Sequence, residues 1–352
     1  MDFAIDTSSP ILVTGATGYV AGWIIKDLLE AGATVHAAVR DPHNADKLAH
    51  LNAAAESAPG TIEYFAADLL KDGSYDDAMA GCSVVFHTAS PFTSDFDDAQ
   101  RDLVDPAVEG TRTVLESADR TSTVTRVVLT SSVAAINTDA QDTADAPGGR
   151  ITEDVWNTTA TLDYEPYSLS KTLAEKKAWE IADAQSRWRL VVINPSLVIG
   201  PGLAPRPTSE SFSIVKGLGN GQMKVGAPKV SFGVVDVRDV AHAHLAAAFR
   251  PDAEGRHITS GHETNILELG QSLAPKYGKK YPLPTRALPK PLMWLVGPFV
   301  GQSRKFVSRS VDVPWRADNS KSRRALGVTY RPMQESMEDM FEFMIGSGYF
   351  GK

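Results

Sequence analysis

A single cysteine, Cys82, stands in 352 residues. One thiol can neither close an intrachain disulfide nor build a cysteine-rich zinc site, and its scarcity fits a reducing, cytoplasmic compartment. Positive charge is also short: 35 Lys and Arg face 43 Asp and Glu, a net charge of -8. A phosphate-backbone partner needs a concentrated basic surface, so no nucleic acid is expected, and Lys279-Lys280 and Arg323-Arg324 read as solvated faces. Long apolar runs are missing too. "MDFAIDTSSP" has no basic n-region and no apolar core, so it does not read as a signal peptide. The most apolar stretch, "PLMWLVGPFVG" (291–301), is broken by Pro298 and too short to span a bilayer. It reads as a buried or partner-facing segment, with no membrane partner expected. With 43% hydrophobic and 22% charged residues and no internal repeat, the chain is an ordinary globular one long enough for two lobes.

What is present is regular over the first two-thirds. "ILV" (11–13), "TVHAAV" (34–39), "IEYFAA" (62–67), "SVVFHTA" (83–89), "RVVLTSS" (126–132) and "LVVIN" (190–194) are strand-like, and helical patterns separate them. This alternation predicts an α/β fold, a doubly wound parallel sheet covered on both faces. From Pro195 onward Pro and Gly are dense and the regularity fades into a less regular lobe. "VSFGVVDVRDVAHAHLAAAF" followed by "GRHITSG" is the exception, reading as strand, helix and strand returning to the sheet.

"ILVTGATGYVAGWIIKDLLEAG" places Gly15 and Gly18 between the first strand and a helix expected to run to about Ala31. Such a turn lets a pyrophosphate approach amide groups at the positive end of a helix. The spacing is G-x-x-G-x-x-A, with Ala21 at the close-packing position. At the end of the second strand stands Arg40, with Lys47 further on; a cation there suits a 2'-phosphate and favours NADP(H). Asp41 is the counter-signal, since a carboxylate aimed at the ribose would repel that phosphate.

In "PYSLSKTLAEKKAWE", Tyr167 and Lys171 are four apart and share one helix face. An ammonium beside a tyrosine stabilises its phenolate, which makes the pair chemically apt for proton transfer to a carbonyl oxygen. The spacing alone decides nothing, because chance supplies about 0.4 such pairs in a chain of this composition. "LTSS" adds weight: it puts Ser132 at the carboxyl edge of the sheet, where a hydroxyl can hold the same substrate oxygen.

Together "TGATGYVAG", "VFHTASP", "LTSS", "PYSLSK" with Tyr167 35 residues beyond Ser132, "INPSLVIGP", "VVDVRDVAHAH" and "DNSKSRRALGVTYRP" resemble the extended short-chain dehydrogenase/reductases. The likeness is to the branch of dihydroflavonol 4-reductase, cinnamoyl-CoA reductase and the NADPH-dependent aldehyde and methylglyoxal reductases. It implies a Rossmann-type NADP-binding domain (1–196 plus 234–262) and a smaller mixed α/β substrate lobe (197–233 plus 263–352). The implied activity is reduction of a small-molecule carbonyl by NADPH, by a monomer or homodimer. Ser132 would orient the carbonyl, Tyr167 would act as general acid, and Lys171 would bind the nicotinamide ribose while lowering the tyrosine pKa. Thr14, Gly15, Gly18, Tyr19 and Val20 would line the pyrophosphate, and Arg40 and Lys47 the 2'-phosphate. Asp68 and Leu69 would flank adenine; Thr88, Ala89 and Ser90 the cofactor's middle; Pro195 and Val198 the nicotinamide. Substrate would meet Ser90, Ser132 and Asn137, although Asn137 equally suits a local turn.

The chain departs from the cinnamoyl-CoA reductases where "TLDYEPYSLSK" replaces their tryptophan- and cysteine-containing signature, which argues against a CoA thioester. Two rival readings are an epimerase/dehydratase or hydroxysteroid dehydrogenase of the same extended group, and a non-catalytic NADP sensor. Several other residues read as structural. His242 and His244 sit at i and i+2 on a helix and point apart, so no metal site is expected. His87 lies in a buried strand, and the Asn157 sequon matters only in a secreted protein. Met337, Met340, Phe341 and Met344 form the buried or dimer-facing row of one helix.

Overall fold

The computed structural model describes residues 3–90 and 96–350, so Pro91 of "VFHTASP" and the first two residues of the N-terminal stretch lie outside it. Its strands are β1 (Ile11–Thr14), β2 (Thr34–Val39), β3 (Thr61–Ala66), β4 (Val84–His87), β5 (Arg126–Thr130), β6 (Arg189–Pro195), β7 (Leu197–Ile199), β8 (Ser231–Asp236), β9 (Gly255–Thr259) and β10 (His262–Asn265). Seven of them form one parallel sheet in the order β3-β2-β1-β4-β5-β6-β9. The order reverses between β1 and β4, which opens a crevice at the carboxyl edge.

Helices cover both faces because these strands are apolar on both. Ile11 and Val13 pack with α1 (Tyr19–Glu30), α2 (Ala45–Glu56) and, further along the sheet, α8 (Val237–Phe249). Leu12, between them, points the other way into the core shared by α3 (Asp76–Met79), α4 (Asp105–Arg120) and α6 (Pro166–Asp183). Fully burying a side chain of this size contributes about 1.5–3 kcal/mol, so the alternation holds two layers at once. The remaining helix of this part, α5 (Ala140–Asp145), follows β5, and α7 (Glu210–Gly219) follows β7.

A second, mixed sheet has the order β10-β8-β7, with β7 parallel and β10 antiparallel to β8. Only β9 of the expected strand-helix-strand unit returns to the large sheet; β8 belongs wholly to the small one. At Gly233 of β8 a Cβ would come within 2.6 Å of the Trp315 ring, a closeness only glycine allows. The later helices are α9 (Ile266–Ser272), α10 (Ala274–Tyr277), α11 (Lys290–Val296), α12 (Arg304–Ser310), α13 (Ser320–Leu326) and α14 (Met333–Gly346). Met337, Met340, Phe341 and Met344 of α14 are fully buried inside this lobe, so their row packs within the chain.

Of the two readings of "PLMWLVGPFVG", buried or partner-facing, burial is corrected. Met293 turns inward, but Leu292, Trp294, Leu295, Val296 and Phe299 are exposed. The physical reason is that α11 is short and rests on a satellite core of Met293, Val307 and Val311, which covers one side only. Among the described residues no helix is long and apolar enough to cross a membrane.

Candidate active site

The glycine turn delivers the chain from β1 to α1. Gly15 has φ +63, and a Cβ there would stand 2.8 Å from the Ala89 Cα, so the turn presses against the end of β4 as no other residue could. Thr14 fastens the two: its Oγ1 accepts from the Ala89 amide at 3.1 Å and meets His87 Nδ1 at 3.0 Å, while the Thr88 hydroxyl donates to the Thr14 carbonyl at 2.5 Å. At the head of α1, Gly18 offers no side-chain cap and the first turn holds no acidic residue. The leading amides around Tyr19 and Val20 are therefore left for an anion, which fits a dinucleotide pyrophosphate. Tyr19 itself points away, its hydroxyl donating to the Gly200 carbonyl at 2.6 Å and tying the turn to the chain beyond β7.

Ser132 follows β5 and heads a short 3-10 turn, where its Oγ accepts from the Ala134 amide at 3.1 Å. Tyr167 is the second residue of α6, after Pro166, whose missing amide hydrogen costs nothing at a helix start. The structure brings these residues together. Burial pushes the Tyr167 hydroxyl up to about 12, the nearby Glu210 charge adds to this, and a hydrogen bond with Ser132 opposes it. One turn on, Lys171 reaches Ser90 with Nζ 3.1 Å from Oγ and lies 5.8 Å from the Tyr167 ring centroid. Burial lowers its ammonium to about 8, and the Glu175 carboxylate resists that fall. The lowering expected from Lys171 is thus outweighed by burial, and at neutral pH Tyr167 is a protonated phenol beside a cation.

Sequence reasoning missed what lies beneath. Glu175, one further turn along α6, is 1% exposed. Its Oε2 accepts from the Ser131 hydroxyl and from Asn194 Nδ2 at 2.8 Å, and its Oε1 accepts from Arg256 Nε at 2.6 Å. Asn194 also donates to the Ser132 carbonyl at 3.2 Å. Arg256, on β9, donates to the Glu153 and Val155 carbonyls at 2.8 and 2.6 Å and stacks 4.0 Å from the Trp156 ring centroid. The network joins α6, β6, β9 and the Ser131-Ser132 strand end under the Tyr167/Lys171 face. Two signals could have found it: Glu175 repeats the i+4 step, and Arg256 is a charge inside the strand run "GRHIT". Glu210, at the start of α7, was missed as well.

The other expected residues distribute as follows. Arg40 ends β2 and Lys47 begins α2; both are exposed, and neither forms an ion pair among the described residues. Asp41 uses Oδ1 to accept from the His43 amide at 2.9 Å, a turn role that occupies the carboxylate. Asp68 accepts from the Leu70 amide at 2.9 Å just past β3, and Leu69 packs against Gly110 of α4. Pro195 closes β6, and Val198 lies in β7 opposite Val235. Asn137 is buried, and its Nδ2 donates to the Asp139 carbonyl at 3.1 Å in a local turn. His87 is buried, hydrogen-bonded and held down to about 3 by burial and by Lys171, so it stays neutral. His244 bonds the Thr130 hydroxyl at 2.7 Å and the Val240 carbonyl at 2.8 Å. Asn157 is buried and donates to the Ala134 carbonyl at 2.8 Å.

Strand order, an uncapped helix at the crevice and the Ser/Tyr/Lys group beside it define an NAD(P)-dependent oxidoreductase of Rossmann type. Residues 11–261 match the model of the NAD dependent epimerase/dehydratase family. The chain belongs to that family, among the extended short-chain dehydrogenase/reductases. It is 34% identical over 336 residues to a cinnamoyl-CoA reductase of Medicago truncatula, covering 94% of each chain. It is 33% identical to tetraketide alpha-pyrone reductase 1 of Arabidopsis thaliana, covering 96% of each. The crystal structure of yeast methylglyoxal/isovaleraldehyde reductase complexed with NADPH superposes with a TM-score of 0.77 at 27% identity, over 96% of this chain and 98% of that one.

Proposed function

We propose that the protein is an NADPH-dependent reductase of small or aromatic aldehydes and ketones. The observation that carries this reading is Tyr167, protonated and hydrogen-bonded to Ser132, with Lys171 one turn away. Reductase names among the relatives, and NADPH in the yeast reductase, support it. Residues 1–196 with 234–262 would serve the cofactor and 197–233 with 263–352 the substrate, a division whose seam runs through β8.

The chemistry supplied by a bound reduced nicotinamide is hydride delivery to the carbonyl carbon. Thr14, Gly15, Gly18 and the amides of Tyr19 and Val20 would hold the pyrophosphate, with Thr88, Ala89 and Ser90 for the cofactor's middle, Asp68 and Leu69 for adenine, and Pro195 and Val198 for the nicotinamide. The Ser132 hydroxyl donates to the carbonyl oxygen and fixes it next to Tyr167. Tyr167 gives its phenolic proton to that oxygen, and the Lys171 ammonium stabilises the phenolate left behind. Asn137 has its Nδ2 engaged in the local turn but its Oδ1 has no hydrogen-bond partner, so Ser90, Ser132 and Asn137 would be the polar contacts for substrate.

The test is NADPH consumption by the purified protein across aldehydes, 1,2-dicarbonyls, aryl ketones and dihydroflavonols, with NADH as control. Turnover on any class supports the reading; silence across the panel with tight NADPH binding intact overturns it.

Two outcomes follow from the same geometry. Arg40→Ala is expected to weaken NADPH binding about tenfold or more and to leave NADH unchanged, since a charge-assisted bond to the 2'-phosphate is lost. Titrating both cofactors checks it, and an equal loss for both removes Arg40 from the phosphate. The pH profile of kcat/KM for reduction is expected to be flat below about 8 and to fall above it as Lys171 loses its proton. Tyr167, pushed up to about 12, stays protonated across that range. A profile without a break near 8 would sever Lys171 from the rate.

A further inference from the structure

We propose that the α11–α12 hairpin is a docking surface for an anionic lipid bilayer. Ten large apolar side chains are exposed among the described residues, and five of them fall within 292–299. Such clustering separates them from the scattered surface leucines that any protein carries. Leu292, Leu295, Val296 and Phe299 stand at i, i+3, i+4 and i+7, a helical stripe that would ordinarily face a core. Here it faces outward: Leu295 is 57% exposed, and Phe299, at the turn between the two helices, 89%. Inward, Met293, Val307 and Val311 already fill the satellite core, so the stripe has no place to fold back onto.

Charge decides the occupant. From Leu269 to Val311 the chain has eight Lys and Arg and no Asp or Glu, although its net charge is -8 overall. Several of these cations border the apolar stripe. The Arg304 guanidinium lies 4.4 Å from the Trp294 ring centroid, Lys290 opens α11, and Lys305 adjoins Arg304. Arg286 holds the Val225 carbonyl at 2.8 Å, next to another exposed apolar side chain. Trp, Phe and Leu flanked by Lys and Arg is the composition that lies in a membrane interface, with apolar groups in the acyl boundary and cations at the headgroups. A projecting apolar tip suits a deformable lipid layer better than a rigid protein face. No spanning segment is needed, because the hairpin would lie on the surface.

The experiment is co-sedimentation of the full chain with vesicles of phosphatidylcholine alone or of phosphatidylcholine with phosphatidylserine. The expected result is pelleting with the anionic vesicles only, weakened by salt. Leu295→Glu/Phe299→Glu is expected to lower partitioning about tenfold or more, and Lys290→Ala/Arg304→Ala about tenfold. None of these side chains is among the residues placed at the cofactor, so NADPH binding should persist in both variants and reports that they fold. Wild-type protein left in the supernatant with both vesicles overturns the proposal, as does equal pelleting of the Leu295/Phe299 variant. Light scattering supplies the remaining outcome: a wild-type dimer that the variant dissolves, without vesicle binding, would make a second copy the occupant and also overturn it.

Discussion

Tyr167→Phe is expected to lower kcat by about 10²–10⁴-fold, the usual contribution of a positioned general acid. The substitution removes one oxygen from a buried ring and leaves the ring's packing in place. NADPH binding, read by fluorescence titration, should stay close to wild type, because the pyrophosphate turn and Arg40 are untouched. Single-turnover measurement with excess enzyme then isolates the chemical step from product release. Wild-type turnover in this variant would remove Tyr167 as the acid and leave the Ser132 hydrogen bond as a structural contact. A matching loss of NADPH affinity would instead assign Tyr167 to cofactor binding.

Glu175→Ala is expected to destabilise the fold by about 3–5 kcal/mol, because it strands the buried Arg256 guanidinium without its carboxylate. Arg256 keeps two carbonyls on Nη1 and the Trp156 ring, but its Nε loses its acceptor and its charge is left unpaired. Denaturant unfolding at fixed ionic strength measures the loss. Glu175→Ala/Arg256→Met should recover most of it, since removing both charges relieves the desolvation that one alone cannot offset. An unchanged midpoint in Glu175→Ala would show that the pair is solvated. The milder Glu175→Gln separates positioning from stability. It takes away the charge that holds the Lys171 ammonium up, so the fall in kcat/KM should move to lower pH. A purely structural role for Glu175 would leave that profile where it was.

The large sheet was legible because its signal is local. Strands such as "TVHAAV" and "RVVLT" are apolar on both faces, and the period changes sharply at each helix. The first helix came out one residue shorter than expected, at Glu30, with Gly32 just beyond. Less legible was β8: its sequence suits either sheet, and only its pairing with β7 and β10 assigns it to the small one. For the stripe of α11 the sequence left burial and a partner-facing role open, because apolar composition alone carries no information about what covers a helix. Burial there depends on neighbours far away in the chain, and the satellite core offers too few.

The same division runs through the active site. By itself the sequence determined that a glycine turn precedes a helix, that Tyr167 and Lys171 share one helical face, and that Ser132 stands at the end of a strand run. Each of these follows from helix and strand periodicity over a few residues. Tertiary structure decided that Lys171 meets Ser90, 81 residues away, and that Arg256 meets Glu175 across the same separation. It also decided the protonation states, since burial, Glu210 and Ser132 act on Tyr167 only once the chain has closed around it. Spacing specifies which groups can share a face; desolvation and long-range contact specify what those groups do there.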